Sequence, residues 1–287
     1  MCDLLDQALD QWNSLVEQEE NVAYKVQPPS SLEQPDGPTE QRLPSSVHET
    51  ISSSCPAAWR ENICEWCYQV IDHCEIDRGV VSIALSYFDR YLSCHTSKDR
   101  TSFQLVSMTS LYLAVKLHST RKISASSMSS LSKGCFRVDQ LLKMEVSIIQ
   151  TLRWRLNPPT PYIYLDVANP IIDASAIDAQ DSYEIAELSR YLVELSVCDG
   201  YFNDKKPSSI AYASILIAME NLSMSAKIEI EMRLGSYQLD KSPHLTELCV
   251  QRLRQVYRLA LSPQSEEEEG EFGRAGVSPT SVFQEYS

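Results

Sequence analysis

Glycine is scarce in this chain, at 8 of 287 residues. Hairpins and phosphate-cradling loops consume glycine, because it alone adopts positive φ freely. The scarcity leans toward helices. No apolar run reaches the length of a membrane-spanning helix. No secretory signal pattern is read at the N-terminus. No basic stripe is available to neutralise phosphates, which disfavours nucleic-acid binding. Catalytic signatures are missing as well: no Gly-rich phosphate loop, no His-Glu-x-x-His and no Gly-x-Ser-x-Gly. His48, His73, His95, His118 and His244 are isolated from one another in sequence. Together these absences argue against an enzyme, and no cofactor is implied.

What is present is an acidic chain with a near-neutral middle. The formal charge is -14. Residues 1–50 carry a net of -8, residues 262–287 a net of -5, and residues 51–261 a net of -1. Hydrophobic residues make up 43%, enough for a substantial core. The 9 cysteines are scattered and odd in number, which suits a reducing compartment. Cys64, Cys67 and Cys74 with His73 invite a zinc reading. They share one helical segment with Trp66 and Val70, so small buried thiols on a helix are the plainer account, and no metal is expected.

Periodicity divides the chain. Residues 1–26 hold an amphipathic helix through Leu4, Leu5, Ala8, Leu9, Trp12, Leu15 and Val16. Residues 27–57 hold 6 of the 14 prolines with many Ser, Gln and Glu, the composition of a linker. From residue 58 the pattern is dense. Trp59, Ile63, Trp66 and Val70 share one helix face. Val81, Leu85, Phe88 and Leu92 form a second stripe. Residues 103–117 are apolar nearly all round, as in a helix surrounded by others. Met128 and Leu131 anchor a short polar stretch. Val138, Leu141, Leu142, Ile148, Ile149 and Leu152 form a further stripe.

Asn157-Pro158-Pro159-Thr160-Pro161 halts the run, and the plan then repeats. Ile185, Leu188, Leu192 and Leu195 are amphipathic. Pro207 opens a second helix that is apolar nearly all round, and Leu245, Leu248, Leu253 and Val256 close with a stripe. Asp89 to Ala114 spans 25 residues and Glu194 to Ala218 spans 24. Two copies of one helical module is the economical reading, and an ordinary multi-helix domain is the alternative. The tail 262–287, with Glu266–Glu269, reads as disordered.

The informative residues are charges on apolar faces. Glu145 interrupts the stripe from Val138 to Leu152, where an unpaired buried carboxylate would cost several kcal/mol. Lys116 ends the most apolar helix of the first module. A lysine stem can lie along apolar surface with its ammonium in water. Two readings stand at this point: an exposed apolar patch with one acid and one base awaiting a partner, or an internal Lys116–Glu145 pair. Arg60 and Asp89 make a second pair, whose plain role is a structural bridge between helices.

These residues resemble the cyclin box. Trp59-Arg60-Glu61-Asn62-Ile63-Cys64-Glu65-Trp66 is similar to its first-helix pattern, and Tyr87-Phe88-Asp89-Arg90-Tyr91-Leu92 to its second. Ala114-Val115-Lys116, Lys143-Met144-Glu145 and Trp154-Arg155-Leu156-Asn157-Pro158-Pro159-Thr160 follow in order. Glu194-Leu195-Ser196 and Pro207-Ser208-Ser209-Ile210-Ala211 match the family's C-terminal half. The resemblance covers about residues 58–260.

It implies an all-α fold of two tandem five-helix cyclin modules, 58–156 and 157–261, with disordered acidic N- and C-terminal segments. It implies a regulatory subunit that binds and activates a cyclin-dependent protein kinase in the cell cycle, closer to G1-type than to mitotic cyclins. A cyclin-fold scaffold or a transcription-associated cyclin is the alternative. Lys116 and Glu145 would grip the kinase near its C-helix, with Leu117, Ile149, Leu152 and Trp154 as apolar contacts. Arg60 and Asp89 would form the family's buried bridge. Trp59, Ile63, Trp66 and Gln69 fall where the family reads Arg-x-Leu substrate motifs. Trp59, Asn62 and Gln69 depart from its pattern, and the acid that meets a substrate arginine is lost, so altered or absent docking is expected.

His118 and Ser119 stand where two acids often follow the lysine, which alters the charge network. No Arg-x-x-Leu motif lies in residues 1–57; the matches Arg153–Leu156 and Arg258–Leu261 are expected in folded helix. No Leu-x-Cys-x-Glu motif occurs. The ends resemble turnover segments of G1-type cyclins. Ser262 and Ser278, each followed by proline, are candidate phosphorylation sites that would imply ubiquitin-ligase partners. A plain solubilising tail is the alternative. Nucleus and cytoplasm is the expected location, and nuclear entry would depend on a partner because no basic cluster serves as a signal.

Overall fold

A computed structural model describes residues 2–21, 24–25, 57–95, 100–173, 177–236 and 239–261. The linker up to residue 56 and the tail with Ser262 and Ser278 lie outside the described residues. Among the described residues there are no strands. The helices are α1 Cys2–Glu20, α2 Ala57–His73, α3 Gly79–Cys94, α4 Arg100–His118, α5 Ala125–Leu131 and α6 Val138–Thr151. After the proline-rich exit come α7 Pro161–Asp173, α8 Ala179–Cys198, α9 Pro207–Ala218, α10 Met224–Ser236 and α11 Pro243–Leu261.

α4 and α9 are the axes of the two modules. Their sequences have no polar face, so each must be enclosed. α4 is buried from Phe103 to Val115 save Leu105, and is covered by α3 and α6. α9 is covered by α8, α7 and α11. Leu111, Leu113, Met108, Phe88 and Tyr87 fill the first core, each buried side chain contributing roughly 2 kcal/mol by removal from water. Tyr164, Ile171, Ile215 and Ile230 fill one core of the second module, and Leu192, Phe202, Cys249 and Leu253 another.

Two helices of the second module have no counterpart in the stripes read from sequence. α7 begins at Pro161, where the missing N–H is harmless, and carries Pro170 inside its last turn. The proline run that reads in sequence as a break thus holds the start of α7, while α6 has already ended at Thr151. α10 buries Ile230 and Leu234 on one face but leaves the hydrophobic Met224, Ile228 and Met232 exposed on the other, so its apolar residues do not form a single stripe.

The N-terminal helix belongs to the second module although the chain places it before the first. Trp12 is fully buried, donates its indole N–H to the Leu239 carbonyl at 3.2 Å and meets Tyr164 edge-on at 4.8 Å. The Glu19 carboxylate is buried at the first turn of α9. It accepts from the Ser208 N–H at 3.1 Å, the Ser208 hydroxyl at 2.6 Å and the Tyr164 hydroxyl at 3.0 Å. A carboxylate there satisfies the otherwise unpaired Ser208 N–H and meets the positive end of the helix dipole.

The segment Arg153–Leu156 corrects one expectation: it is a turn, not helix. Arg153 and Trp154 take φ of 51° and 61°, left-handed conformations that non-glycine residues rarely adopt. The Trp154 N–H reaches back to the Ile149 carbonyl at 3.1 Å, closing the end of α6 as a Schellman-type stop.

Candidate functional site

The site is built where the end of α4 meets the middle of α6. Lys116 Nζ donates to Glu145 Oε1 at 2.8 Å. The partners are unequally placed: the lysine side chain is 48% exposed and the carboxylate side chain 8%. Glu145 is tolerated on the apolar stripe because the ammonium covers it. The same hydrogen bond raises the Lys116 pKa against the opposing effect of burial. The ammonium also lies 5.6 Å from the Tyr112 ring centroid.

Exposed hydrophobics flank this pair along the chain: Leu117 follows Lys116, Leu142 and Val146 lie beside Glu145 on α6, and Trp154 follows the end of α6. Leu142, Glu145, Val146 and Ile149 share one face of α6 at helical spacing. Trp154 is 75% exposed, and the two consecutive left-handed residues set it outward. Strained backbone that presents an exposed indole is the kind of local cost that marks binding surfaces.

The structure separates the expected apolar contacts. Leu117 and Trp154 are exposed, Ile149 is half-buried, and Leu152 is buried in the core. Leu152 therefore supports the face from below. The sequence reads Leu142 only as part of the α6 stripe and does not mark Val146 at all. Their spacing from Val138 and Ile149 was the available signal, and Val146 at 53% exposure is the stronger of the two.

The end of α4 is pinned behind the site. His118 Nε2 lies 2.9 Å from the Tyr87 hydroxyl and 3.0 Å from the Leu156 carbonyl. Tyr87 also donates to that carbonyl, and Arg90 donates to the Arg155 carbonyl at 3.1 Å. Burial lowers the His118 pKa; the hydrogen bond to Leu156 opposes this and Lys122 reinforces it. Through Nε2 the ring holds the exit strap that carries Trp154.

Arg60 is buried and reaches three acceptors. It donates to Asp89 Oδ2 at 2.9 Å, to Asp89 Oδ1 at 3.2 Å and to the Val197 carbonyl at 2.8 Å. The bridge thus joins α2 to α3 and both to the end of α8. Burial disfavours its charge, but attraction to Asp89 and their hydrogen bonds leave the Arg60 pKa raised.

The four candidate docking positions do not form an open patch. Ile63 and Trp66 are each 2% exposed and lie in the first core. Trp59 is half-buried against Phe103, ring centroids 5.8 Å apart, and only Gln69 is exposed. α2 is held between α3 and α8, which turns its apolar face inward. Of the residues that suggested zinc, Cys64 and Cys67 are buried in the same helix, and no group of three metal-binding side chains occurs among the described residues. No described helix is long and apolar enough to cross a membrane.

Residues 38–157 match the family model for the cyclin N-terminal domain, and residues 159–275 that for the cyclin C-terminal domain. The chain belongs to the cyclin family. This cyclin is 23% identical over 181 residues to G1/S-specific cyclin-D1 of Mus musculus, covering 63% of this chain and 60% of that one. It thus spans about 60% of the length of such curated relatives. The fold is similar to the viral cyclin of herpesvirus saimiri, with a TM-score of 0.60 and 17% identity over 72% of this cyclin and 87% of the viral one. It is also similar to a chain of the CAK complex of Chaetomium thermophilum, with a TM-score of 0.54 and 17% identity over 71% and 69% of the two chains.

Proposed function

We propose that this cyclin is a regulatory subunit that binds and activates a cyclin-dependent protein kinase, and that it acts in cell-cycle control. The observation that carries the reading is the unequal Lys116–Glu145 pair flanked by exposed hydrophobics. An internal pair serving the fold alone would need no such surroundings. Leu117, Leu142, Val146 and Trp154 offer a desolvating surface, and the half-exposed ammonium offers one charge to a complementary acceptor.

Activation by this route is conformational. The cyclin covers the kinase C-helix, which brings its glutamate to the lysine that positions ATP and frees the activation loop. The cyclin contributes surface and no catalytic group. The relatives named G1/S-specific support the cell-cycle role. Location in nucleus and cytoplasm, and turnover through phosphorylated Ser262 and Ser278 by ubiquitin ligases, are part of the same proposal.

The test is affinity capture on the full chain, with the bound kinase identified by mass spectrometry and assayed for phosphotransfer. Stoichiometric recovery of a cyclin-dependent kinase, active only when this cyclin is present, is the expected result. Recovery of transcription factors without a kinase overturns it.

A further inference from the structure

Cys64 and Cys198 are 134 residues apart in sequence, and their Sγ atoms lie 2.9 Å apart. Cys64 is on α2 of the first module and Cys198 is the last residue of α8 in the second. A disulfide needs a separation of about 2.05 Å, so closure asks for a movement of roughly 1 Å. Cys64 is buried, whereas Cys198 is half-buried and therefore reachable by a small oxidant. Arg60, one turn before Cys64, binds the carbonyl of Val197 next to Cys198 and holds both helix segments in register.

The geometry points to a redox modification site, in which a hydroperoxide converts Cys64 and Cys198 into a disulfide that joins the two modules. In a reducing compartment such disulfides are transient and serve as sensors. Nothing in this reading depends on the kinase partner.

The two thiols are unequal, which sets the order of events. The hydrogen bond shared with Cys64 lowers the Cys198 pKa against burial, and the nearby Arg60 cation lowers it further. Burial pushes the Cys64 thiol up. Cys198, half-buried where Cys64 is fully buried, is the sulfur a small oxidant reaches first and so the attacking one. Its thiolate attacks one oxygen of hydrogen peroxide, the O–O bond breaks, and the leaving hydroxide takes a proton to become water. The Cys198 sulfenic acid is then attacked by Cys64, which gives up its proton. The S–O bond breaks and a second water leaves. Two thiols and one peroxide become one disulfide and two waters, sulfur being oxidised and oxygen reduced.

The test treats the full chain with hydrogen peroxide, blocks remaining thiols with N-ethylmaleimide, and maps peptides without reductant. A linked peptide pair carrying Cys64 and Cys198, two hydrogens lighter than the sum and released by dithiothreitol, is expected. It forms before the exposed Cys94 and Cys135 are oxidised. The oxidised protein melts roughly 5–10 °C higher, because the link closes a long loop, and Cys198→Ser abolishes the shift. The mapping uses the wild-type chain, so it stands even if a cysteine variant folds poorly. Alkylation of Cys64 and Cys198 while Cys94 and Cys135 carry the oxidation overturns the inference. So does an oxidised Cys198 that remains unlinked to Cys64.

Discussion

Lys116 and Glu145 form an ion pair of 2.8 Å in which the cation faces solvent and the anion faces the core. The pair is thus both internal and available. The carboxylate fixes the ammonium on the surface, and exposed side chains from α4, α6 and the exit turn flank it along the chain. A partner that covers this face gains apolar area and can also bind a cation that is already ordered.

Trp154 and Val146 test that surface without disturbing the core. Trp154→Ala and Val146→Asp should each weaken binding of the captured kinase by about 2 kcal/mol, near thirtyfold in Kd. Both side chains are exposed, so the melting temperature should hold within about 2 °C. Isothermal calorimetry and a thermal melt read the two effects separately.

Arg60 and Asp89 test the frame. Asp89→Ala leaves a buried guanidinium without its carboxylate and should lower stability by about 3–5 kcal/mol. The pair Arg60→Met/Asp89→Leu removes both charges and should recover much of that loss. Denaturant titration of the three proteins gives the comparison. A single-variant loss below about 1 kcal/mol would show that the bridge is not structural.

Glu19 tests the attachment of α1. Glu19→Ala removes the acceptor of three hydrogen bonds and uncovers the first turn of α9. A loss of about 2–3 kcal/mol is expected, with faster amide exchange confined to α1 and the start of α9. Exchange unchanged in α9 would mean that α1 is not needed there.

His118 sets a pH dependence. Its folded pKa is depressed below the ordinary histidine value of 6.5, so the unfolded chain binds the proton first. Its contribution is present above the unfolded value and is lost as pH falls through the folded one. Wild-type stability should therefore decline as pH falls below the unfolded histidine value, and more steeply than that of His118→Gln. Equal slopes for both proteins would remove His118 from the account.

Much of this architecture was legible in the sequence because burial leaves a pattern. α4 and α9 show no polar face, and only enclosed helices can be built that way. Lys116 and Glu145 stood out because each breaks an apolar stripe. Other features had no such mark. α7 is short and flanked and interrupted by proline, so its start resembled a break. The outward setting of Trp154 rests on left-handed backbone at Arg153 and Trp154, conformations that favour glycine, and neither residue is one. Ile63 and Trp66 matched an expected surface motif but are buried, because α8 packs over α2. That covering comes from a helix more than a hundred residues away, which local periodicity does not reveal. The Cys64–Cys198 approach and the seat of Glu19 on α9 are long-range contacts of the same kind.

The most direct measurement is the affinity of the captured kinase for the double variant Lys116→Glu/Glu145→Lys. The exchange keeps one charge of each sign but presents an anion where the proposed kinase partner would meet a cation. Binding should fall at least about a hundredfold, with phosphotransfer lost in proportion, while Leu117→Met, a volume-conserving change on the same face, stays within a fewfold of wild type. Unchanged affinity and activity in a folded double variant would contradict the assignment of this face as the kinase-binding surface.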